Sequence, residues 1–199
     1  MESVLDRVIK QNTENVNLLK TKDYNIFSVL QIQSKEVLIC RMIADLLNPR
    51  GQHGAGAEYL KIFLKDCLGM EKMDTKLADQ AIVTAEYAID DERRIDIEIG
   101  SYFLPIEVKI YAADQKSQCF DYYQYAKRRD AQAKVYYLTL DGHRPGKDST
   151  SSGSQSVPEE DIVCLSFRVH ILNWLKACKN CGNTGMIPIL EQFIHNIEQ

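Results

Sequence analysis

The sequence predicts an α/β protein in which one mixed β-sheet carries helices on both faces. Three observations lead there. Residues 94–109 (RIDIEIGSYFLPIEVK) read as two alternating strands around a tight polar turn. Around them, apolar stripes at helical spacing and short β-rich runs follow one another in the order α-α-β-β-β-α-β-β-α-α. The 199 residues, 45% of them apolar, suffice for one domain with a sizeable core. A single domain over 1–199 is expected, with its core over about residues 34–167.

Residues 1–20 space Val4, Val8, Leu18 and Leu19 loosely and read as a polar helix. A helix is expected next over residues 28–48, because Ile39, Ile43, Leu46 and Leu47 fall at i, i+4, i+7 and i+8. Glu36 lies one turn before Ile39 on the same stripe. An inward carboxylate is costly unless paired or metal-bound, while a first-turn acid also complements the helix dipole; both readings stay open for Glu36. Asn48-Pro49-Arg50-Gly51 breaks this helix. Residues 57–68 form another, with Leu60, Phe63, Leu64 and Cys67 inward. Between them His53 sits in a Gly-rich loop, GQHGAG, which lacks the lysine of a phosphate-cradling loop and reads more readily as structural.

Residues 79–89 (DQAIVTAEYAI) read as a strand with Glu86 as a charged interruption, and Asp90-Asp91-Glu92 turns into the central hairpin. Residues 117–129 form the next helix, with Gln118, Tyr122, Tyr125 and Arg129 on one face and Cys119, Tyr123 and Ala126 on another suited to packing on the sheet. Residues 133–140 (AKVYYLTL) are a β-rich strand. Residues 141–161 are rich in Ser, Gly and Pro, and their length and composition predict a mobile loop. A short strand over 162–167 and helices over 168–178 and 186–198 close the chain, the first with Ile171, Leu172 and Leu175 inward.

The chemistry sits in the hairpin. Side chains alternate faces along a strand, so Glu107 and Lys109 share one face while Ile106, Val108 and Ile110 take the other. With Gly100 to Phe103 as the turn, Ile99 opposes Leu104 and Asp96 falls opposite Glu107. Opposed like charges repel, and a divalent cation reverses the sign of that interaction. Mg²⁺ takes one or two carboxylates and leaves room for water and phosphate, and a neighbouring ammonium stabilises developing charge. Asp96, Glu107 and Lys109 are thus the residue types of metal-dependent phosphodiester hydrolysis. The same alternation also suits a hairpin with a solvated polar face.

The net charge of −4 excludes a generically basic nucleic-acid coat; the local basic run is Lys127, Arg128, Arg129 and Lys134. No secretory signal opens the chain, and no apolar run approaches the ~20 residues of a membrane span, so a cytoplasmic protein with reduced cysteines and no membrane partner is expected. Cys178 and Cys181 form a CxxC without the second pair that a structural zinc site needs. No Walker loop or nucleophile elbow is present.

RRIDIEI followed by PIEVK resembles the PD-(D/E)xK nuclease superfamily, the restriction-endonuclease-like fold, and KEVLICRMIADLLNPRGQHG is similar to the first helix and loop of a bacterial branch of it. The resemblance covers roughly residues 34–140. It implies an αβββαβ core with the acid and the ExK on the second and third strands. It also implies that Asp96 and Glu107 ligate Mg²⁺ or Mn²⁺, that the Val108 carbonyl completes the set, that Lys109 orients the attacking water, and that Glu36 is the helical glutamate aimed at the site. Gln118 and Tyr122 match the QxxxY element of RecB-like nucleases, which contacts DNA. Ile95 replaces the signature proline and Cys119 replaces the usual leucine of that element.

The implied function is a metal-dependent deoxyribonuclease, an endonuclease or an exonuclease, in DNA processing, repair or phage defence. Arg128, Arg129 and residues 141–161 would hold the backbone, and RNA stays open as a substrate. A non-catalytic nucleic-acid- or protein-binding module on the same fold is the alternative, and the oligomeric state, a homo-oligomer or a partner subunit included, is left open.

Overall fold

The alternating aliphatics of residues 94–109 become the middle of the sheet. In the computed structural model, which describes residues 24–199 apart from Gly182, the strands are β1 (Val83–Ala88), β2 (Arg94–Ile99), β3 (Leu104–Lys109), β4 (Val135–Thr139), a small ribbon of β5 (Ser151–Ser152) and β6 (Gln155–Ser156), and β7 (Ile162–Ser166). The polar helix expected over residues 1–20 lies outside the described residues. The main sheet runs β1-β2-β3-β4-β7, antiparallel through β3 and parallel from β3 to β7. Parallel neighbours need long crossovers. Helix α5 (Gln118–Lys127) lies in the crossover from β3 to β4, and residues 141–161 make the one from β4 to β7.

Strand parity divides the core into two. Ile97, Ile99, Ile106, Val108, Tyr136 and Leu138 pack on one face. They meet α2 (Glu36–Leu47), α3 (Glu58–Ile62), α7 (Leu172–Cys178) and α8 (Ile187–Glu198). On the other face Val135 and Tyr137 pack under Cys119, Phe120, Tyr122 and Tyr125 of α5. Ile95 joins this second cluster, so the expected alternation in β2 breaks at Asp96.

The hairpin has the expected register: Ile99 pairs with Leu104 and Ile97 with Ile106, which sets Asp96 against Glu107. The turn is a 3₁₀ helix over Gly100–Tyr102, closed by Phe103 in the left-handed region at φ 52°. Pairing between β2 and β3 stops one residue short of Asp96. On the other edge, β1 pairs through Ala85↔Ile97 and resumes at Tyr87↔Ile95, skipping Glu86 opposite Asp96. Glu86 takes φ 54°, a conformation that tilts a non-glycine residue out of the ladder. Its carboxylate is held by Arg41 of α2 at 2.6 Å.

Several expectations are corrected. The helix expected over 28–48 divides into α1 (Ile26–Val29) and α2, because Gln31 takes φ 52° between them. The strand expected from 79 begins at Val83; Asp74 accepts from the Lys76 and Leu77 amides and caps α4 (Thr75–Asp79), so local capping overrides β propensity there.

Residues 141–161 are packed, with α6 (Lys147–Thr150) and the β5–β6 ribbon inside them. One of their serines turns fully inward. Ser149 is fully buried and its hydroxyl accepts from the Cys119 amide, while Ser117 donates to the Ser151 carbonyl at 2.8 Å. The Asp114 carboxylate fixes the entry, accepting from the Gly146 amide and the Tyr137 hydroxyl, both at 2.7 Å.

The helix expected over 168–178 opens with a π turn, Phe167–Ile171. The buried stripe runs through Phe167, Ile171, Trp174, Leu175 and Cys178, so Trp174 is fully enclosed while Leu172, expected inward, is half-buried. The Trp174 indole donates to the Tyr59 carbonyl at 2.8 Å and meets Phe63 edge-on at 5.5 Å. Trp174→Ala is expected to destabilise the fold by about 3–5 kcal/mol, read as a lowered urea midpoint at unchanged slope; a loss under about 1 kcal/mol would contradict this packing.

Candidate active site

Asp96, Glu107 and Lys109 meet where the sheet comes unpaired. Glu107 is wholly buried and Lys109 nearly so. The Lys109 ammonium makes a close ion pair with Glu107 Oε1. Apart from that ammonium, no hydrogen-bond partner among the described residues reaches either Glu107 oxygen. Asp96 Oδ2 accepts from the Val108 amide at 2.8 Å, so a carboxylate takes a strand amide beside the last ladder pair. Burial, with the Asp96 charge next, pushes the Glu107 carboxyl up to about 8 against the pull of Lys109. Burial also holds Asp96 above its usual range, against the Val108 amide and Lys109. Desolvation opposes the Lys109 charge, but Glu107, Asp96 and Glu36 together outweigh it and raise its pKa. Lys109 is therefore an ammonium at neutral pH, a donor and not a base.

Glu36 stands at the first position of α2. Its Oε1 accepts from three successive amides, Ile110 at 2.6 Å, Tyr111 at 2.9 Å and Ala112 at 3.1 Å. Burial raises its pKa, yet those amides and Lys109 more than compensate and the net shift is downward. Glu36 joins the site as an anion that clamps the backbone immediately beyond Lys109.

Gln118 and Tyr122 come together as the sequence predicts, but inward. Gln118 Nε2 donates to the Tyr122 hydroxyl at 3.1 Å, and that hydroxyl donates to the Arg94 carbonyl. Tyr122 is fully buried, so it braces the entry of β2 toward Asp96. Gln118 Oε1 is buried without a partner. A cavity of 290 Å³ opens over this group, lined among others by Glu36, Arg94, Asp96, Lys109, Gln118 and Tyr122.

Sequence reasoning missed the cations here, though the Arg93-Arg94 pair directly before Ile95 and Asp96 was a signal. Arg93 is bound to Asp121 at 2.7 Å, to the Gln115 side chain and to the Lys116 carbonyl, tying β2 to the start of α5. Arg94 is exposed at the cavity mouth.

Arg129 is not brought to the site. It lies past the far end of α5, on the order of 15 Å from Gln118 at 1.5 Å per residue. Its guanidinium stacks over Tyr125 at 3.8 Å, and Tyr125 donates to the buried Glu98 at 2.6 Å. Arg128 donates to the Gln124 carbonyl and Lys127 pairs with Asp161, so the expected basic run serves the far end of the helix. His53 is a loop staple: Nδ1 accepts from the Ala55 amide, Nε2 faces the Asn48 carbonyl at 2.9 Å, and the ring stacks on Tyr59.

A divalent cation suits this donor set. Two hard carboxylates are held together although the Asp96 charge opposes ionisation of Glu107, and apart from Lys109 no hydrogen-bond partner among the described residues reaches either Glu107 oxygen. Among the described residues no cluster of three or more His, Cys, Asp or Glu is gathered; the acids that come together here are Asp96 and Glu107. The described residues include no helix long and apolar enough to cross a membrane.

A mixed sheet with an acid on its second strand and an ExK on its third defines a nuclease-type α/β domain. A family model described as the PD-(D/E)XK nuclease superfamily matches residues 24–193, and the chain belongs to that superfamily. Comparison with curated proteins and with solved structures finds no match.

The buried acid sets a stability signature. The Glu107 carboxyl titrates at 4.5 ordinarily and at about 8 in the fold, so its contribution is fully present below pH ~4.5 and is lost as pH rises through ~8, at about 1.4 kcal/mol per unit. Glu107→Gln keeps the neutral shape. In EDTA, wild type is expected to lose more unfolding free energy than Glu107→Gln between pH 5 and pH 8, by a few kcal/mol; parallel curves would show that Glu107 titrates normally.

Proposed function

We propose that the protein is a metal-dependent nuclease that hydrolyses phosphodiester bonds of DNA. The observation that carries this reading is Asp96 and the Lys109 ammonium lining one cavity with Arg94, with the buried Glu107 paired to Lys109 behind them. A binding module gains nothing from two clustered acids beside phosphate.

Asp96 and Glu107, with the Val108 carbonyl, would hold Mg²⁺ or Mn²⁺. Such an ion supplies Lewis acidity at the scissile phosphate and a more acidic water. Arg94 meets the incoming phosphate at the mouth, a contact that positions the strand without reading sequence. Lys109, fixed as an ammonium, donates to the attacking water and to negative charge growing on the phosphoryl oxygens. Glu36 keeps the end of β3 in place, so Lys109 cannot drift from Asp96. The water oxygen gives up a proton to solvent and bonds to phosphorus as the phosphorus–oxygen ester bond breaks, and the departing sugar oxygen takes a proton from solvent. The inward Gln118–Tyr122 pair supports a positioning role at β2. Processing, repair or phage defence, in a cytoplasm that keeps the six thiols free, fits this chemistry.

The test is cleavage of linear and circular DNA, single- and double-stranded, and of RNA. Mg²⁺ or Mn²⁺ should support cleavage and EDTA should stop it, and loss of the circular form would mark an endonuclease. Lys109→Ala should lower the rate by roughly 10²–10³-fold while leaving DNA affinity within a few-fold. Binding without cleavage by the metal-loaded wild type would instead favour the non-catalytic module.

A further inference from the structure

Directly beyond the catalytic lysine stands an aromatic ring with no structural task among the described residues. Tyr111 is 70% exposed, more than any other large apolar side chain among the described residues. Its backbone is not loose, because its amide is one of the three clamped by Glu36. The ring lies between two concavities. One, of 220 Å³, is lined by Ile39, Ile110, Leu140, Phe167 and Phe193 among others. The other, of 510 Å³, is lined by Leu30, Ile32, Val37 and Leu38 around Glu36 and Ala112. Leu30, Val37 and Leu38 are themselves exposed. An aromatic on a fixed backbone, two residues from Lys109 and bordered by aliphatics, is unfavourable in water and needs a flat apolar partner.

Duplex DNA has none to offer at that point, since its outer surface is phosphate and sugar and its base faces are stacked inside. An unpaired nucleotide exposes a base face, and such faces stack on aromatic side chains. We propose that Tyr111 is the stacking platform for an unpaired base next to the scissile phosphate, so that the site takes single-stranded or frayed nucleic acid in preference to intact duplex. This rests on the nuclease reading, because it places the phosphate at Lys109 and Asp96.

The test compares wild type with Tyr111→Ala, Tyr111→Phe and Tyr111→Trp. Binding of a short labelled oligothymidylate and of a blunt duplex is followed by fluorescence anisotropy in EDTA, and cleavage of the same substrates is followed with Mg²⁺. Tyr111→Ala should weaken single-strand binding, and raise the single-strand KM, by roughly tenfold or more. Duplex values and kcat should change little, and the Phe and Trp variants should retain wild-type behaviour. Equal effects on both substrates, or none, would overturn the proposal. So would a change in oligomeric state on sedimentation with single-strand binding intact, which would assign the patch to a second copy of the chain. Tyr111-dependent single-strand binding without cleavage would uphold the platform and remove the nuclease reading. A wild type that neither binds nor cleaves would remove both.

Discussion

The amide of Val108, donating to the carboxylate of Asp96, is the contact around which the centre of this molecule is arranged. Sheet pairing lapses at Asp96 on both edges of β2, and a break in the middle of a sheet would ordinarily leave backbone groups unsatisfied. The carboxylate fills the role of the missing ladder on the β3 side. In doing so it aims an acid at Glu107, whose burial costs free energy until something neutralises the pair. The apolar packing of Ile97, Ile106 and Val108 against α2 on one face, and of α5 on the other, supports that local cost.

Much of this was legible in the sequence because strand parity is strict. Alternation at Ile97, Ile99, Ile106 and Val108 specified which residues face the larger core, and the short turn specified that Ile99 meets Leu104. From that register the opposition of Asp96 and Glu107 followed without any structure. What was illegible depends on backbone exceptions and on distant partners. A positive φ at Glu86 has no signature in a residue type that rarely adopts it. The π turn over Phe167–Ile171 likewise has no signature in a 3.6-residue period, although Trp174 falls on the Ile171, Leu175 and Cys178 stripe and its burial was readable there. The serines of residues 141–161 look like a solvated loop by composition, yet the Ser149 hydroxyl accepts from the buried Cys119 amide and the Ser151 carbonyl accepts from Ser117.

Helix α5 illustrates how a correct face assignment can still misplace a role. Gln118, Tyr122, Tyr125 and Arg129 do share a face, and that face does meet β2. Its two ends serve different purposes: the Gln118 end touches the site, whereas the Tyr125 end satisfies Glu98 and holds Arg129 through its ring. An acidic chain can still receive phosphate, because its relevant charges are local. Glu107 is buried behind Lys109, while Asp96 and Lys109 line the cavity with the exposed Arg94.

Glu36 gives the site a mechanical character. One carboxylate oxygen gripping the amides of Ile110, Tyr111 and Ala112 makes the start of α2 and the end of β3 a single rigid joint. Asp96 grips the same stretch of β3 from another element, through the Val108 amide. The Lys109 segment is thus held from α2 at its end and from β2 just before it. A rotation or slide of α2 would pull that segment against the Asp96 anchor, so a force applied at the helix's outer surface would be felt first as strain across the acid and the lysine.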